Sequence, residues 1–186
     1  MSRIDALRNS FPESARDLAQ NLQSVLVDTS LNPSQAYGVA IASAIFTASD
    51  VLRDTLTSDA RDAGVSEDML DDAYAAAALM TMTGVYYRFR HMVENPAFER
   101  KPARLRMQRM MKPATSKLDL ELCAMACAAL AGCQLCIKAH DTSIRKAGGS
   151  EDQIHDAVRT AAVVSGAATA LRSGAQLGGR ERERID

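Results

Sequence analysis

Tryptophan is absent, and aromatic residues make up only 4% of the 186 positions. Any core must therefore be aliphatic and rich in Ala. Charge of one sign is also missing. The formal net charge is −1, which excludes a nucleic-acid binder that works by bulk basic charge. No apolar run approaches the ~20 residues of a membrane span. The opening MSRIDALRNSFPES has no apolar stretch of signal-peptide type. Four cysteines are too few for a disulfide scaffold. A cytoplasmic protein is expected, in which any disulfide is reversible. What is present is 47% hydrophobic residues, enough for a buried core and against disorder. The length suits one domain, or one domain built of two small halves.

The periodicity is helical nearly throughout. Ala15, Leu18, Leu22 and Val25 recur at three- and four-residue steps after Pro12, itself suited to a first helical position. Asn32-Pro33-Ser34-Gln35 reads as a cap before an Ala-rich helix over Ala36–Ala48. Asp50–Ala63 predicts another helix, stopped by Gly64. Ser66-Glu67-Asp68 caps a long helix that includes Leu70, Ala73, Ala77 and Met80, and its acids favour the helix dipole. Val85-Tyr86-Tyr87 has strand propensity but no partner strand. Asn95-Pro96, Pro102 and Pro113 break up the middle. Further helices are expected over Leu118–Ala131, from Cys133 to Gly148-Gly149, and from Ser150 toward Leu171, with a frayed tail GGRERERID. The fold class is all-α.

An internal repeat underlies this pattern. AGVSEDMLDDAYAAAALM from Ala63 aligns without gaps on AGGSEDQIHDAVRTAAVV from Ala147. The match runs past the turn into the helix at Asp72/Asp156, Ala73/Ala157, Ala77/Ala161 and Ala78/Ala162. Two superposable helical halves are expected, a degenerate one over about 30–95 and an active one over about 114–179. The same offset carries Glu121, Cys133, Cys136 and His140 back onto Tyr37, Ser49, Leu52 and Leu56. One copy therefore reads as scaffold and the other as site.

Cys133-Gln-Leu-Cys136 is a Cys-x-x-Cys pair at a helix start, where residues three apart share a face and the sulfurs can bridge. A thiol of pKa near 8.5 is only about 3% thiolate at pH 7, and the thiolate is the reactive form. The helix N-terminus favours the anion. His140, four residues after Cys136, offers an imidazolium to the same end. Cys136 is then the better-activated sulfur and Cys133 its resolving partner. Two buried small residues, or a zinc site, are the other readings of the pair. Zinc needs four ligands, and Cys133, Cys136 and His140 supply three. Glu121 lies on the preceding, otherwise apolar helix. It either caps or pairs locally, or it folds back at Gly132 toward the Cys-His stripe. Burial is expected to raise its pKa and suit it to proton transfer.

The remaining candidates are weaker. Cys123 and Cys127 read as core residues. His91 reads as solvated or paired, and His155 as surface. The basic stretch from Arg100 to Lys112 lacks interleaved aromatics and reads as a solvated connector, or a docking face for an acidic partner or neighbouring subunit. Met107, Met110 and Met111 read as packing residues.

Glu121, the Cys133–Cys136 pair and His140, followed by Ser-Ile-Arg-Lys-Ala-Gly, resemble the alkylhydroperoxidase D (AhpD-like) family. SFPESARDLAQNL, GVYYRFRHMV and AAVVSGAATAL extend the resemblance over nearly the whole chain. It implies an all-α fold of duplicated halves, usually a homotrimer, and a thiol peroxidase and disulfide reductase of antioxidant defence. By that resemblance Cys136 attacks the alkyl hydroperoxide, Cys133 closes the disulfide, and Glu121 and His140 relay protons. No bound cofactor is implied. Reduction would come from dihydrolipoyl groups on an acyltransferase, recycled by dihydrolipoamide dehydrogenase, and a peroxiredoxin (alkyl hydroperoxide reductase C) is a further implied partner. Leu135 departs from members that carry a His between the cysteines, which bears on peroxidase rate and reductant. Carboxymuconolactone decarboxylases, which share the architecture by resemblance without relying on a Cys-x-x-Cys, and a zinc-binding interaction module are the alternatives.

Overall fold

The computed structural model describes residues 2–182. Among them there is no strand. The helices are α1 (Arg3–Asn9), α2 (Arg16–Val27), α3 (Pro33–Phe46), α4 (Asp50–Asp62), α5 (Glu67–Met92), α6 (Pro96–Glu99), α7 (Gln108–Met111), α8 (Lys117–Leu130), α9 (Gln134–Lys146) and α10 (Glu151–Arg182). Local chemistry sets their starts. Asn32 and Gln35 form a reciprocal capping box ahead of α3, with Pro33 at the first helical position. Ser66, Ser116 and Ser150 accept the third amide of α5, α8 and α10.

Three helices recur in order. α3, α4 and α5 begin at 33, 50 and 67, and α8, α9 and α10 begin 84 residues later, at 117, 134 and 151. α3 and α8 each hold 14 residues, and α4 and α9 each hold 13. Gly64 and Gly148 close the fourth and ninth helices at φ +79° and +86°. Gly132 and its counterpart Ala48 both take left-handed backbone. α3 and α8 pack on each other and on both α5 and α10, which makes them the central pair. Both are buried around most of their girth, as a helix that is apolar on every side must be. Their Ala content lets the axes approach closely. At Gly38 a Cβ would stand 1.9 Å from Met69 Cε, so any larger residue there would force the Met69 side chain to move.

Two buried carboxylates, themselves related by the repeat, tie the halves together. Asp72 on α5 accepts from Ala114 N (3.0 Å), Thr115 N (2.8 Å), Thr115 Oγ1 (2.7 Å) and Arg109 (2.9 Å). Asp156 on α10 accepts from Ser30 N (2.6 Å), Ser30 Oγ (2.7 Å) and Thr29 Oγ1 (3.2 Å). Each half thus holds the segment that leads into the other half's central helix. Burial pushes both carboxyls up, but these donors outweigh it, and both end below the ordinary range.

Four features differ from the expectation. α1 was not legible, being short and polar. Val85-Tyr86-Tyr87 is helical, because α5 runs on for 26 residues. The Pro-rich middle contains the single turns α6 and α7. The last helix passes Leu171 and takes in residues 178–182 of the tail, while 183–186 lie outside the described residues.

Candidate active site

Gly132, at φ +62°, turns the chain from α8 into α9. The Arg88 guanidinium donates to the Ala131 carbonyl (2.7 Å) and steadies this turn from α5. Cys133 is then the N-cap of α9, its sulfur facing the Cys136 amide at 3.3 Å. The two sulfurs are joined in a disulfide, with Cα atoms 5.3 Å apart. Both are buried, but unequally. Cys133 is 1% exposed, whereas Cys136 is 7% exposed and lines a cavity of about 650 Å³.

Glu121 lies one helix back, on α8, and is 3% exposed. Its Oε2 meets His140 Nδ1 at 2.6 Å, and its Oε1 meets Lys117 Nζ at 2.7 Å, one turn earlier on the same helix. Lys117 also donates to the Met110 carbonyl at 2.7 Å. Of the two readings left open for Glu121, the structure joins them: it pairs locally with Lys117 and reaches His140. The expected rise in its pKa does not occur. Burial raises it, but hydrogen bonds from His140 and Lys117, with their charges, outweigh burial and leave it below the ordinary range. Glu121 is therefore an ionised acceptor.

His140 departs from expectation in its second contact. Nε2 faces Met80 Sδ of α5 at 3.1 Å, and no hydrogen bond joins His140 to Cys136 among the described residues. Both still line the same cavity, whose wall is mostly apolar: Met80, Met107, Met110, Leu135 and Ala139, with Thr83, Ser143 and Tyr87. Arg90, exposed His91 and Glu99 also line it. Arg90 stacks over the Tyr86 and Tyr87 rings, 5.8 and 5.9 Å from their centroids.

The other candidates sort by burial. Cys123 and Cys127 are fully buried core thiols, and burial pushes both well up in pKa, which makes them inert. His155 is exposed, beside Asp156. In the basic stretch Arg109 is pulled onto Asp71 and Asp72. Met107 and Met110 pack, but Met111 is 78% exposed, against expectation. Among the described residues no cluster of three or more His, Cys, Asp or Glu is arranged to hold a metal ion.

The first half shows what replaces this chemistry. Leu52 and Leu56, the counterparts of Cys136 and His140, are wholly buried. Asp59, the counterpart of Ser143, accepts the Arg3 and Ile4 amides at 3.0 and 2.8 Å. α1 is held against α4 by these bonds. Two contacts were missed in the sequence. Lys117 carried a signal, an i,i+4 pair with Glu121. Met80 carried none, because its partner lies 60 residues away.

A profile of the carboxymuconolactone decarboxylase family matches residues 96–177, a span that includes Glu121, both site cysteines and His140. The chain is 52% identical over 171 residues to the alkyl hydroperoxide reductase AhpD of Anaeromyxobacter dehalogenans (strain 2CP-C), covering 92% of this chain and 91% of that one. It is 46% identical to AhpD of Anaeromyxobacter sp. (strain Fw109-5), over 97% of each chain. With AhpD of Brucella abortus (strain 2308) the identity is 39%, over 91% of this chain and 97% of the other.

Proposed function

The chain belongs to the alkyl hydroperoxide reductase AhpD family, and from that premise we propose that it reduces alkyl hydroperoxides through the Cys133–Cys136 pair. The coarse activity, an antioxidant peroxide reductase, follows from the family. The residue roles are our reading, carried by one observation: the redox-capable pair opens, through Cys136, into the cavity that the Glu121–His140 pair also lines.

The Cys136 thiolate attacks the distal oxygen of the hydroperoxide, the O–O bond breaks, and the departing alkoxide takes a proton from His140 to leave as alcohol. Cys136 is now a sulfenic acid. The Cys133 thiol displaces its hydroxyl as water and closes the disulfide. A dithiol of dihydrolipoyl type then attacks the disulfide and leaves oxidised, returning both thiols. Glu121 holds His140 Nδ1, which leaves Nε2, beside Met80, as the ring atom for proton exchange with substrate. Lys117 keeps Glu121 ionised while it does so. The cysteine placement favours this order, since the more exposed sulfur is met first by an incoming oxidant.

No bound cofactor is needed for these steps. The lipoyl donor, a lipoyl-bearing acyltransferase with dihydrolipoamide dehydrogenase, a partner peroxiredoxin and a trimeric assembly complete the proposal. No helix among the described residues is long and apolar enough to cross a membrane. The decarboxylase alternative draws support from the matching profile and would need a lactone to be turned over without thiol involvement. The deciding experiment follows peroxide consumption with dihydrolipoamide, thioredoxin and glutathione compared as donors. Turnover with dihydrolipoamide that disappears in Cys136→Ser is the expected result. Turnover surviving that substitution would overturn the assignment.

A further inference from the structure

Of the two polar side-chain contacts of His140 among the described residues, the one with Met80 is left unused by peroxide reduction. Met80 is 3% exposed, yet it lines the cavity, and its Sδ sits 3.1 Å from His140 Nε2. A thioether has no proton to give and only a weak acceptor lone pair, so it serves no step of a proton relay. It is, however, a nucleophilic sulfur 3.1 Å from an imidazole nitrogen able to carry a proton, in the cavity that Cys136 also lines. The state described, with Cys133 and Cys136 bonded to each other, is the one in which no thiolate is available there.

We propose that Met80 is a modification site: when the cysteine pair stands oxidised, a hydroperoxide in the cavity transfers its distal oxygen to Met80 Sδ and makes methionine sulfoxide. The inference rests on the proposed function, in that hydroperoxide enters this cavity and His140 supplies a proton. Sδ attacks the distal oxygen and the O–O bond breaks. The alkoxide takes a proton from Nε2 of His140 in its doubly protonated form, regained from solvent after the cysteine step, and leaves as alcohol. The hydroxysulfonium then returns its own proton to His140. One hydroperoxide is consumed, the sulfur is oxidised by two electrons, and no net proton is used. The sulfoxide oxygen is a far stronger acceptor than the thioether, and it lies against Nε2. It would hold the ring's proton away from the next substrate, so protein starved of reductant loses activity until the sulfoxide is reduced.

Other methionines of this chain are internal references. Met69 and Met125 are each 1% exposed, away from the cavity. Met111 is 78% exposed. Met110 lines the cavity, but its sulfur faces no hydrogen-bond donor among the described residues. The test treats the disulfide form of the full chain with tert-butyl hydroperoxide, without reductant, and follows the gain of one oxygen on each methionine by peptide mass spectrometry. Met80 should oxidise well ahead of Met69 and Met125. His140→Gln should slow Met80 by about tenfold or more, the lower part of the range for acid–base assistance, while leaving Met110 as it was. Met80→Leu, which conserves volume, should keep a larger share of its starting activity after the same exposure. Met80 oxidising no faster than Met125, or responding to His140→Gln only as Met110 does, overturns the inference. Prereduced protein in the same series reports on the thiols. Closure of Cys133–Cys136 should come first, with Met80 oxidising after it; closure followed by further exposure that leaves Met80 untouched sinks this inference alone. Oxidation of Met80 while both thiols stay free overturns the thiol reading and, with it, the order of events this inference rests on.

Discussion

Replacing Glu121 by Gln preserves the shape of the α8 side chain and removes one negative charge from a buried position. Glu121 is held below the ordinary carboxylate range because the hydrogen bonds and charges of His140 and Lys117 outweigh its burial. The wild-type group is therefore an anion at neutral pH, and its 2.6 Å contact with Nδ1 is charge-assisted. A hydrogen bond to a charged group is worth about 1.5–3 kcal/mol. If His140 delivers its proton while leaning on that anion, the loss falls on the transition state, and kcat/KM should drop roughly 10- to 150-fold. Stability should suffer less. Lys117 is half-exposed and keeps the Met110 carbonyl at 2.7 Å, so a cost of about 1–2 kcal/mol is expected. The assay is alcohol formation from tert-butyl hydroperoxide with dihydrolipoamide, beside thermal unfolding of both proteins. The pH dependence carries a definite sign. A carboxyl whose folded pKa is lowered contributes stability that is complete above its unfolded pKa, and the contribution fades as pH falls through the folded one. Wild type should lose this contribution below about pH 4.3, where an unperturbed Glu titrates, and Glu121→Gln should not. A folded Glu121→Gln protein with wild-type kcat/KM would refute the role given to this carboxylate.

Three other outcomes follow from the same structure. Cys133→Ser should stop the cycle after peroxide attack and leave a sulfenic acid on Cys136, detectable with a sulfenic-acid-specific nucleophile; labelling at any other cysteine would contradict the order of steps. Asp72→Ala should cost about 3–5 kcal/mol in urea unfolding, because it leaves the Ala114 amide and the Thr115 amide and hydroxyl unpaired at the entry to α8 and takes away one of the two carboxylates that hold Arg109. Gly132→Ala should cost about 1 kcal/mol through backbone strain alone, since nothing lies within 4 Å of the added Cβ and φ is +62°.

Much of the architecture was legible because short-range chemistry encodes it. The Asn32, Ser66 and Ser150 caps fall where they were read, and Gly64, Gly132 and Gly148 take the left-handed turns that end helices. α1 escaped notice because it is a two-turn polar helix whose place depends on Asp59, more than 50 residues away. The Cys-x-x-Cys and Glu-His set was visible as spacing, but two of its properties were not. The direction of the Glu121 shift depends on which cations reach a buried carboxyl, and burial alone gave the wrong sign. The Met80 contact with His140 is made across the two halves, and no local periodicity encodes it.

The most direct measurement mixes fully reduced protein with one equivalent of an alkyl hydroperoxide and maps the free thiols by alkylation and peptide mass spectrometry. The expected result is loss of the Cys133 and Cys136 thiols to an intramolecular disulfide, with one alcohol formed, while Cys123 and Cys127 stay reduced in the core. Peroxide consumed with both site thiols still free, or oxidation that begins at Cys123 or Cys127, would contradict it.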